Sequence, residues 1–273
     1  MSSGIPSFDW NQLLPARSRI AAADSAPITH AGKIVLITGA GGSIGSALVQ
    51  AIAAQSPKLL ILLDHSEQNL YEIETALSSS STAPPFLAVL GDAGDRRLLA
   101  SLFEENRPSM LYHAAAFKHV PLMEANPFAA IRNNALVTWN LARLAAEHRV
   151  PQLLLISTDK AANPRSIMGA SKRLAELAIE FTGLRPGDKL TEDLLSPAET
   201  LEPTSIPGLS SIAAAPVSLG KLDAAFDLLD EQTQRRDLSA LLETLCEMIP
   251  EYEPSVALLE RAPLPATKSS HHG

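Results

Sequence analysis

The chain has 273 residues, 46% apolar and 19% charged, so it can bury a substantial core and is not expected to be disordered. Its net charge of -8 argues against a nucleic-acid partner, and its single cysteine, Cys246, excludes an internal disulfide and fits a reducing cytoplasm. We expect a cytoplasmic protein, because no apolar stretch approaches the roughly 20 residues of a membrane span and the first residues do not resemble a signal peptide.

The first predicted strand leads directly into a glycine-rich turn. Residues 1–32 are predicted to be an irregular lead-in, and the apolar, β-branched run Lys33–Thr38 is typical of a buried strand. The spacing Gly39-x-x-Gly42-x-x-Gly45 follows, and then an alanine-rich helical run. The three glycines would allow a tight turn, close approach of the backbone to a pyrophosphate, and close packing of the helix. A glycine pattern alone is weak, but this setting predicts a dinucleotide site, with Ser43 and Ile44 at the start of the helix.

The second predicted strand, Lys58–Leu63, ends at Asp64, about 20 residues beyond the glycines. A carboxylate there binds the ribose hydroxyls of NAD and would repel the 2′-phosphate of NADP, so the sequence favours NAD. The same position also suits an N-cap for the helix predicted from Glu67, and both interpretations remain open.

Two further strands are predicted at Phe86–Leu90 and Met110–His113. Asp92 follows the first of them, where a carboxylate could meet the adenine end of the cofactor. Ala114 and Ala115 follow the second, where small side chains let a flat cofactor ring approach the backbone.

The fifth predicted strand begins near Leu153 and ends in the polar run Ser157-Thr158-Asp159-Lys160. A long helix, Phe128–His148, precedes it. Its residues Asn133 and Asn134 could tie neighbouring loops together, although at least one of the two could equally be an ordinary polar residue of the helix. Polar residues at the carboxyl end of a parallel strand suit an active site, but a strand-to-helix connection with a capping Asp would look the same. The alternation of strands and helices predicts a Rossmann-like α/β fold with a doubly wound parallel sheet.

Several runs resemble one family of extended short-chain dehydrogenase/reductases. TGAGGSIGS, HAAAFKHVPLMEANP, IRNNALVTWNLA and ISTDKAANPRSIMGASKRLAE are similar to the capsular-polysaccharide branch of that family, the UDP-N-acetylglucosamine 4,6-dehydratases. The similarity covers about Gly32–Glu180. It implies NAD as cofactor, a UDP-sugar as substrate, and a place in polysaccharide or surface-glycan biosynthesis.

The resemblance also implies roles for the polar run. Thr158 would hydrogen-bond the C4 oxygen of the sugar, and Asp159 would protonate the departing 6-hydroxyl. Lys160 would remove the C5 proton. This requires a lowered pKa, which desolvation and nearby Lys172 could provide. Lys118, His119 and Asn133 would lie on the substrate side.

Met168 stands where most of the superfamily carries a catalytic tyrosine, four residues before Lys172. A thioether cannot accept a proton, so Met168 cannot act as a base. The branch that the chain resembles often carries methionine here, and Lys172 would bind the nicotinamide ribose. Without the family, this pair would be ordinary helix sequence, with one residue facing the core.

The resemblance breaks after Glu180. FTGLRPGDKL, containing Arg185, is similar to a motif from near the end of the family, where the arginine contacts the UDP diphosphate. The small substrate-binding domain that precedes this motif in full-length relatives is absent. We therefore expect a sheet that is truncated at the substrate side and whose fifth strand is an open edge. A second copy of the chain or the C-terminal region could cover that edge.

The rest of the chain is predicted to be a linker over 196–220 followed by two amphipathic helices, 221–230 and 236–248. The predicted division is therefore a lead-in (1–32), an NAD-binding domain with its catalytic loop (33–181), and a remnant substrate region with a C-terminal helical extension (182–273). Two other functions stay open: an inactive NAD-binding remnant or partner of a full-length relative, and a nucleotide-sugar epimerase. No metal is expected.

Overall fold

The computed structural model describes residues 29–181, 200–203, 210–213 and 219–262. Strands and helices alternate through the first of these ranges, which confirms the predicted α/β class. The five strands of the main sheet are β1 (Ile34–Thr38), β2 (Leu59–Asp64), β3 (Phe86–Leu90), β4 (Met110–His113) and β5 (Gln152–Leu155).

The main sheet is parallel throughout, with the order β3-β2-β1-β4-β5. The chain starts in the middle of the sheet and adds strands first on one side of β1 and then on the other. In a sheet of this kind, ligands bind beyond the carboxyl ends of the strands, where the strand order reverses. The site is therefore to be sought beyond the ends of β1 and β4.

Helices cover both faces of the sheet, because successive side chains of a strand point to opposite sides. On one face, Leu36 and Ile61 pack with residues of α3 (Arg96–Asn106) and α6 (Val137–Glu147). On the other face, Val35 and Leu62 pack with residues of α1 (Ser43–Ala53) and α2 (Glu67–Ser78).

A π-helical segment interrupts the long helix predicted between β4 and β5. The short helix α4 (Val120–Ala125) comes first, and α5 (Pro127–Ala130) then continues through the π-helical turn Ile131–Leu136 into α6. The long helix is thus confirmed, whereas α4 and the π-helical turn were not predicted. Turns of this kind often occur at functional sites.

Three C-terminal helices pack against the helix α7 (Ile167–Phe181), which follows β5, and against the π-helical region. They are α8 (Leu219–Arg235), α9 (Leu238–Met248) and α10 (Val256–Arg261). The rings of Trp139 on α6 and Phe226 on α8 stack with centroids 4.5 Å apart. The predicted C-terminal helical extension is therefore present and shares an apolar core with the first part of the chain.

Glu124 on α4 joins α7 to the C-terminal segment. Its Oε1 accepts a hydrogen bond from the backbone N–H of Ile167 at 2.6 Å, and its Oε2 accepts one from Ser255 Oγ at 2.6 Å. Its backbone oxygen accepts a third from Arg261 Nη1 at 3.0 Å. Arg165 also forms an ion pair with Glu253. The start of α7 is thus held by residues about 90 positions further along the chain.

The C-terminal part of the structure differs from the sequence prediction in one respect. The predicted linker 196–220 contains two short antiparallel strands, β6 (Thr200–Pro203) and β7 (Ser210–Ala213), which form a separate sheet. Proline- and serine-rich composition led to the linker prediction, although Thr200-Leu201 and Ile212 are residues that favour strands. In the main sheet, β5 pairs only with β4 among the described residues, and Arg185 lies outside them.

Candidate functional site

Three positions in the turn after β1 and at the start of α1 have room only for glycine. A Cβ added to Gly41 would lie 2.4 Å from the backbone carbonyl group of Asn69. The other two positions are Gly39 and Gly45. Gly39 adopts φ +66°, and a Cβ added to it would lie 2.7 Å from the backbone nitrogen of Ala115. A Cβ added to Gly45 would lie 1.9 Å from the carbonyl oxygen of Gly39. Gly39 and Gly45 therefore let β1, the end of β4 and the first turn of α1 meet at backbone distance.

The N-terminus of α1 is suited to hold an anion. Gly42 is its N-cap and has no side chain to bond the first amides of the helix. Ser43 and Ile44 begin the helix, and the Ile44 side chain is exposed. The unpaired amides and the helix dipole give this end a positive potential that favours phosphate groups.

Asp64 ends β2 with its carboxylate directed at the glycine turn. It is 4% exposed; its Oδ2 accepts the N–H of Gly41 at 2.9 Å, and its Oδ1 accepts the N–H of Ser66 at 2.9 Å. The helix cap is Ser66, whose Oγ accepts the N–H of Asn69. The capping interpretation of Asp64 is therefore wrong, and its remaining acceptor positions are available to a ligand.

A cleft of about 160 Å³ lies at the carboxyl ends of β1, β2, β3 and β4. We call it the cofactor cleft. It brings together six of the predicted cofactor residues: Gly39, Gly42, Asp64, Asp92, Ala114 and Ala115. Asn69, Phe117 and Val137 also line it and were missed, although the run HAAAF could have drawn attention to Phe117.

Below the cofactor cleft, a buried histidine joins three elements. The Nδ1 of His113 lies 2.6 Å from Thr38 Oγ1, and its Nε2 lies 2.9 Å from Thr138 Oγ1. Because Thr138 donates its own hydroxyl proton to the Asn134 oxygen at 2.7 Å, Nε2 must donate and Nδ1 must accept. Burial, with a smaller contribution from Lys172, lowers the pKa of His113 to about 3, so the ring stays neutral.

Asn134 ties the loop after β4 to α7, as the sequence suggested for one of the two asparagines. Its side chain is fully buried, and its Oδ1 accepts the N–H of Phe117 at 2.8 Å. Its Nδ2 donates to the Phe117 oxygen at 2.9 Å and to Ser171 Oγ at 3.0 Å. Asn133 is less buried, lines the cofactor cleft, and donates to Asn134 Oδ1.

Lys172 reaches from α7 to the carboxyl end of β5. Its side chain is 4% exposed, and Nζ donates to the oxygen of Ile156 at 2.7 Å. Burial lowers the pKa of Lys172 to about 8, and the nearby carboxylate of Glu176 opposes that shift. At pH 7 the ammonium therefore remains the main form, with roughly a tenth of the molecules neutral.

The Thr-Asp-Lys loop (residues 158–160) also follows β5, but it is open to solvent. The Asp159 side chain is 61% exposed and that of Lys160 is 54% exposed, with Nζ 3.0 Å from Asp159 Oδ1. A hydrogen bond from the Thr158 hydroxyl, followed by one from Lys160, lowers the pKa of Asp159. The predicted desolvation of Lys160 is therefore wrong for this structure, because no described residue covers the loop.

Other predicted residues lie apart from the cofactor cleft. Met168 is buried in the apolar core shared with the C-terminal helices. Lys118 and His119 are exposed before α4 and do not line the cleft. Within the described ranges, no group of three or more His, Cys, Asp or Glu side chains could hold a metal ion. None of the helices described there has the length and apolar character needed to cross a bilayer.

Residues 35–180 match the family described as polysaccharide biosynthesis protein. The chain is 46% identical over 149 residues to the capsular polysaccharide biosynthesis protein CapD of Staphylococcus aureus, covering 54% of this chain and 25% of that protein. It is 30% identical over 160 residues to a UDP-N-acetylglucosamine 4,6-dehydratase (inverting) of Campylobacter jejuni, covering 58% and 46%.

A solved structure, that of Pen from Bacillus thuringiensis, superposes with a TM-score of 0.51 at 27% identity, covering 56% of this chain and 45% of that one. The chain spans about a quarter to a half of the length of these relatives. The family match takes in more than half of the chain, including the glycine turn, Asp64, the Thr-Asp-Lys loop and Lys172. The chain therefore belongs to the polysaccharide biosynthesis protein family, whose matched segment here is the Rossmann-like domain.

Proposed function

We propose that the chain is an NAD-dependent nucleotide-sugar 4,6-dehydratase that acts on a UDP-N-acetylhexosamine in polysaccharide or surface-glycan biosynthesis. One observation carries the proposal: Lys172 and the Thr-Asp-Lys loop follow β5 at the same sheet edge as the glycine turn. The similarity to a UDP-N-acetylglucosamine 4,6-dehydratase supports the choice of reaction.

The residues of the cofactor cleft fit a dinucleotide. The amides at the start of α1 would bind the pyrophosphate, and Asp64 would accept hydrogen bonds from the adenosine ribose. A buried carboxylate at this position would repel a 2′-phosphate, which favours NAD over NADP. When bound, NAD supplies the redox chemistry, taking hydride from the sugar C4 and returning it at C6.

The Thr-Asp-Lys loop would carry out the elimination between these two hydride transfers. Thr158 would hold the C4 oxygen, Asp159 would give a proton to the departing 6-hydroxyl, and Lys160 would take the C5 proton. In the structure, Thr158 and Lys160 favour the ionised form of Asp159. A bound sugar must therefore separate the Asp159–Lys160 pair and exclude water from it.

Lys172 would bind the nicotinamide ribose. Its Nζ already donates to Ile156 at the end of β5, so the ammonium is fixed with further donors available. Met168, four residues earlier on α7, cannot bind the ribose in its place, because the Met168 side chain is buried in the apolar core.

The test is to incubate the purified chain with NAD and UDP-N-acetylglucosamine and to follow the sugar nucleotide by mass spectrometry. We expect a 4-keto product that has lost one water. Lys160→Ala should abolish the product while NAD binding is unchanged. Lys221→Ala, an exposed lysine on α8, is the matched control and should behave as the wild type. Protein that binds NAD but forms no product contradicts the proposed reaction.

A second candidate is an NAD-binding protein without turnover that acts as a partner of a full-length relative. The exposure and self-pairing of the Thr-Asp-Lys loop favour it. It predicts NAD binding with no change in the sugar nucleotide. An epimerase would instead give a product of unchanged mass with inverted C4, which chromatography of the same reaction detects.

A further inference from the structure

A second cleft, of about 650 Å³, lies between the C-terminal helices and the first domain. We call it the α8 cleft. Asp230, Thr233 and Arg236 line it from the end of α8 and the corner before α9. On the opposite side it is lined by the loop between β3 and α3 and by the π-helical region, with Arg132 among its residues.

The α8 cleft adjoins the cofactor cleft. Four residues line both of them: Asp92, Phe117, Asn133 and Val137. The Phe117 side chain is 37% exposed, although it lies beside the fully buried Asn134. A flat ligand group that reached past Asp92 would therefore meet residues of both clefts.

Arg236 is held over an aromatic ring in the α8 cleft. Its guanidinium carbon lies 5.0 Å from the centre of the Phe128 ring. Within the part of the chain that the structure describes, neither Arg236 nor Arg132 forms an ion pair. The neighbouring Arg235 does, with Glu231 at 2.6 Å.

The acidic side chains that line the α8 cleft have other partners. Asp92 Oδ1 accepts the N–H of Gly94 at 2.7 Å, and Asp95 accepts the N–H groups of the first turn of α3. Asp230 Oδ2 accepts from Gln234 Nε2 at 2.8 Å. Among the described residues, the acidic side chains of this cleft therefore do not pair with the Arg236 guanidinium. Its N–H donors and one planar face are available to a ligand.

We infer that the corner between α8 and α9 forms the outer wall of the adenine site, and that Arg236 contacts the adenine of the bound dinucleotide. This rests on the proposed function, because it takes the cofactor cleft to bind NAD. The pyrophosphate at α1 and the ribose at Asp64 direct the adenosine half towards the end of β3. Asp92 lies there, and the α8 cleft begins at Asp92. A planar guanidinium stacks well on an aromatic base.

The test measures dissociation constants by calorimetry for NAD, ADP-ribose and AMP with the full chain and three variants. Arg236→Ala and Arg236→Gln should each weaken all three ligands about fivefold, the effect of losing one contact of this kind. Arg235→Ala, one position earlier, is the matched control and should bind as the wild type does. Thermal unfolding of each variant tests whether the corner has stayed folded.

Three results would overturn the inference. If wild-type protein binds AMP and Arg236→Ala binds it equally well, the corner is not part of the adenine site. If Arg235→Ala weakens AMP as much as Arg236→Ala does, the effect is one of general charge. If wild-type protein binds none of the three ligands, the cofactor site itself is wrong, and this result separates failure of the proposed function from failure of the Arg236 contact.

Discussion

The glycine turn and the Thr-Asp-Lys loop lie at the same edge of one sheet, yet their surroundings are opposite. Around the glycine turn, backbone meets backbone, and Asp64 is buried with both oxygens hydrogen-bonded. In the Thr-Asp-Lys loop, Asp159 and Lys160 are more than half exposed and bind each other. The glycine turn is fully packed without a ligand, whereas the residues proposed for the elimination lack the low-dielectric surroundings that such chemistry needs.

Under the proposed function, this difference means that cofactor binding and turnover depend on different parts of the molecule. Cofactor binding requires the glycine turn and Asp64, and the corner between α8 and α9 adds one contact to the adenine. Elimination also requires a group that covers the Thr-Asp-Lys loop, and a bound sugar is the candidate that the proposed function supplies. Changes at the glycine turn should therefore affect folding and binding together, and changes at the loop should affect neither.

The largest effect is expected from Gly45→Ala. The added Cβ would overlap the Gly39 oxygen at 1.9 Å, so either α1 or the turn must move. We expect the free energy of unfolding to fall by about 3 kcal/mol or more and NAD binding to be lost. Urea unfolding and calorimetry measure the two effects. Gly220→Ala, with nothing within 4 Å of its added Cβ, is the control and should be neutral or slightly stabilising.

Asn134→Ala should give the next largest loss of stability. It leaves the N–H and oxygen of Phe117 without the side chain that pairs them. The Ser171 hydroxyl loses the hydrogen bond that it accepts but still donates to the Met168 oxygen. We expect a loss of about 3 kcal/mol in the free energy of unfolding. Asn133→Ala, which removes one part-buried hydrogen bond, should cost less than about 1 kcal/mol. Equal losses for the two variants would show that Asn134 is not the tie between the β4 loop and α7.

A smaller effect should follow from the buried amine of Lys172. Its pKa is about 8 in the folded state against 10.5 as the ordinary value, so above pH 8 the unfolded chain holds a proton that the folded chain has lost. The contribution of Lys172 to stability should therefore rise with pH from about 8 towards 10.5, by at most about 1.4 kcal/mol per pH unit.

The comparison with Lys172→Met isolates this contribution. The raised pKa values of Tyr112, Tyr252 and Cys246, all caused first by burial, act in the opposite direction at high pH but are common to both proteins. Urea unfolding between pH 7 and 9.5 should therefore show wild-type stability rising relative to the variant. A constant difference across that range would mean that Lys172 is not desolvated.

The smallest effect on folding is expected from Asp159→Asn. The ion pair of Asp159 with Lys160 is exposed, and pairs of this kind contribute less than about 1 kcal/mol. Stability and NAD binding should remain at wild-type values, while formation of the 4-keto product should stop. If the variant binds NAD less tightly, the loop is part of the cofactor site, and the two regions do not act independently.

Sequence was sufficient for features that depend on local pattern. Apolar runs placed the five strands of the main sheet to within one or two residues, and the glycine spacing led to residues that line one cleft. These features are readable because a buried strand needs a continuous apolar run and a tight turn needs glycine.

Features that depend on the tertiary surroundings could not be predicted from the sequence. The π-helical turn at Ile131–Leu136 forms where Asn134 meets Phe117 and Ser171, partners separated from it by 17 and 37 positions. The exposure of Lys160 depends on which groups pack over the loop. The resemblance to a family indicates the residue types of the loop but not whether they are buried. Arg236 was missed because its position beside Phe128 depends on how α8 packs.

The bridge made by Glu124 has a consequence for dissecting the protein. Because one carboxylate holds both the first amide of α7 and the hydroxyl of Ser255, the smallest piece that folds as a unit must extend well past residue 181. In a fragment that ended at residue 181, Glu124 would lose its hydrogen bond from Ser255. The apolar face of α7 that packs against the C-terminal helices would be exposed to solvent. The family match ends at residue 180, whereas the unit that we expect to unfold cooperatively includes the C-terminal helices α8, α9 and α10.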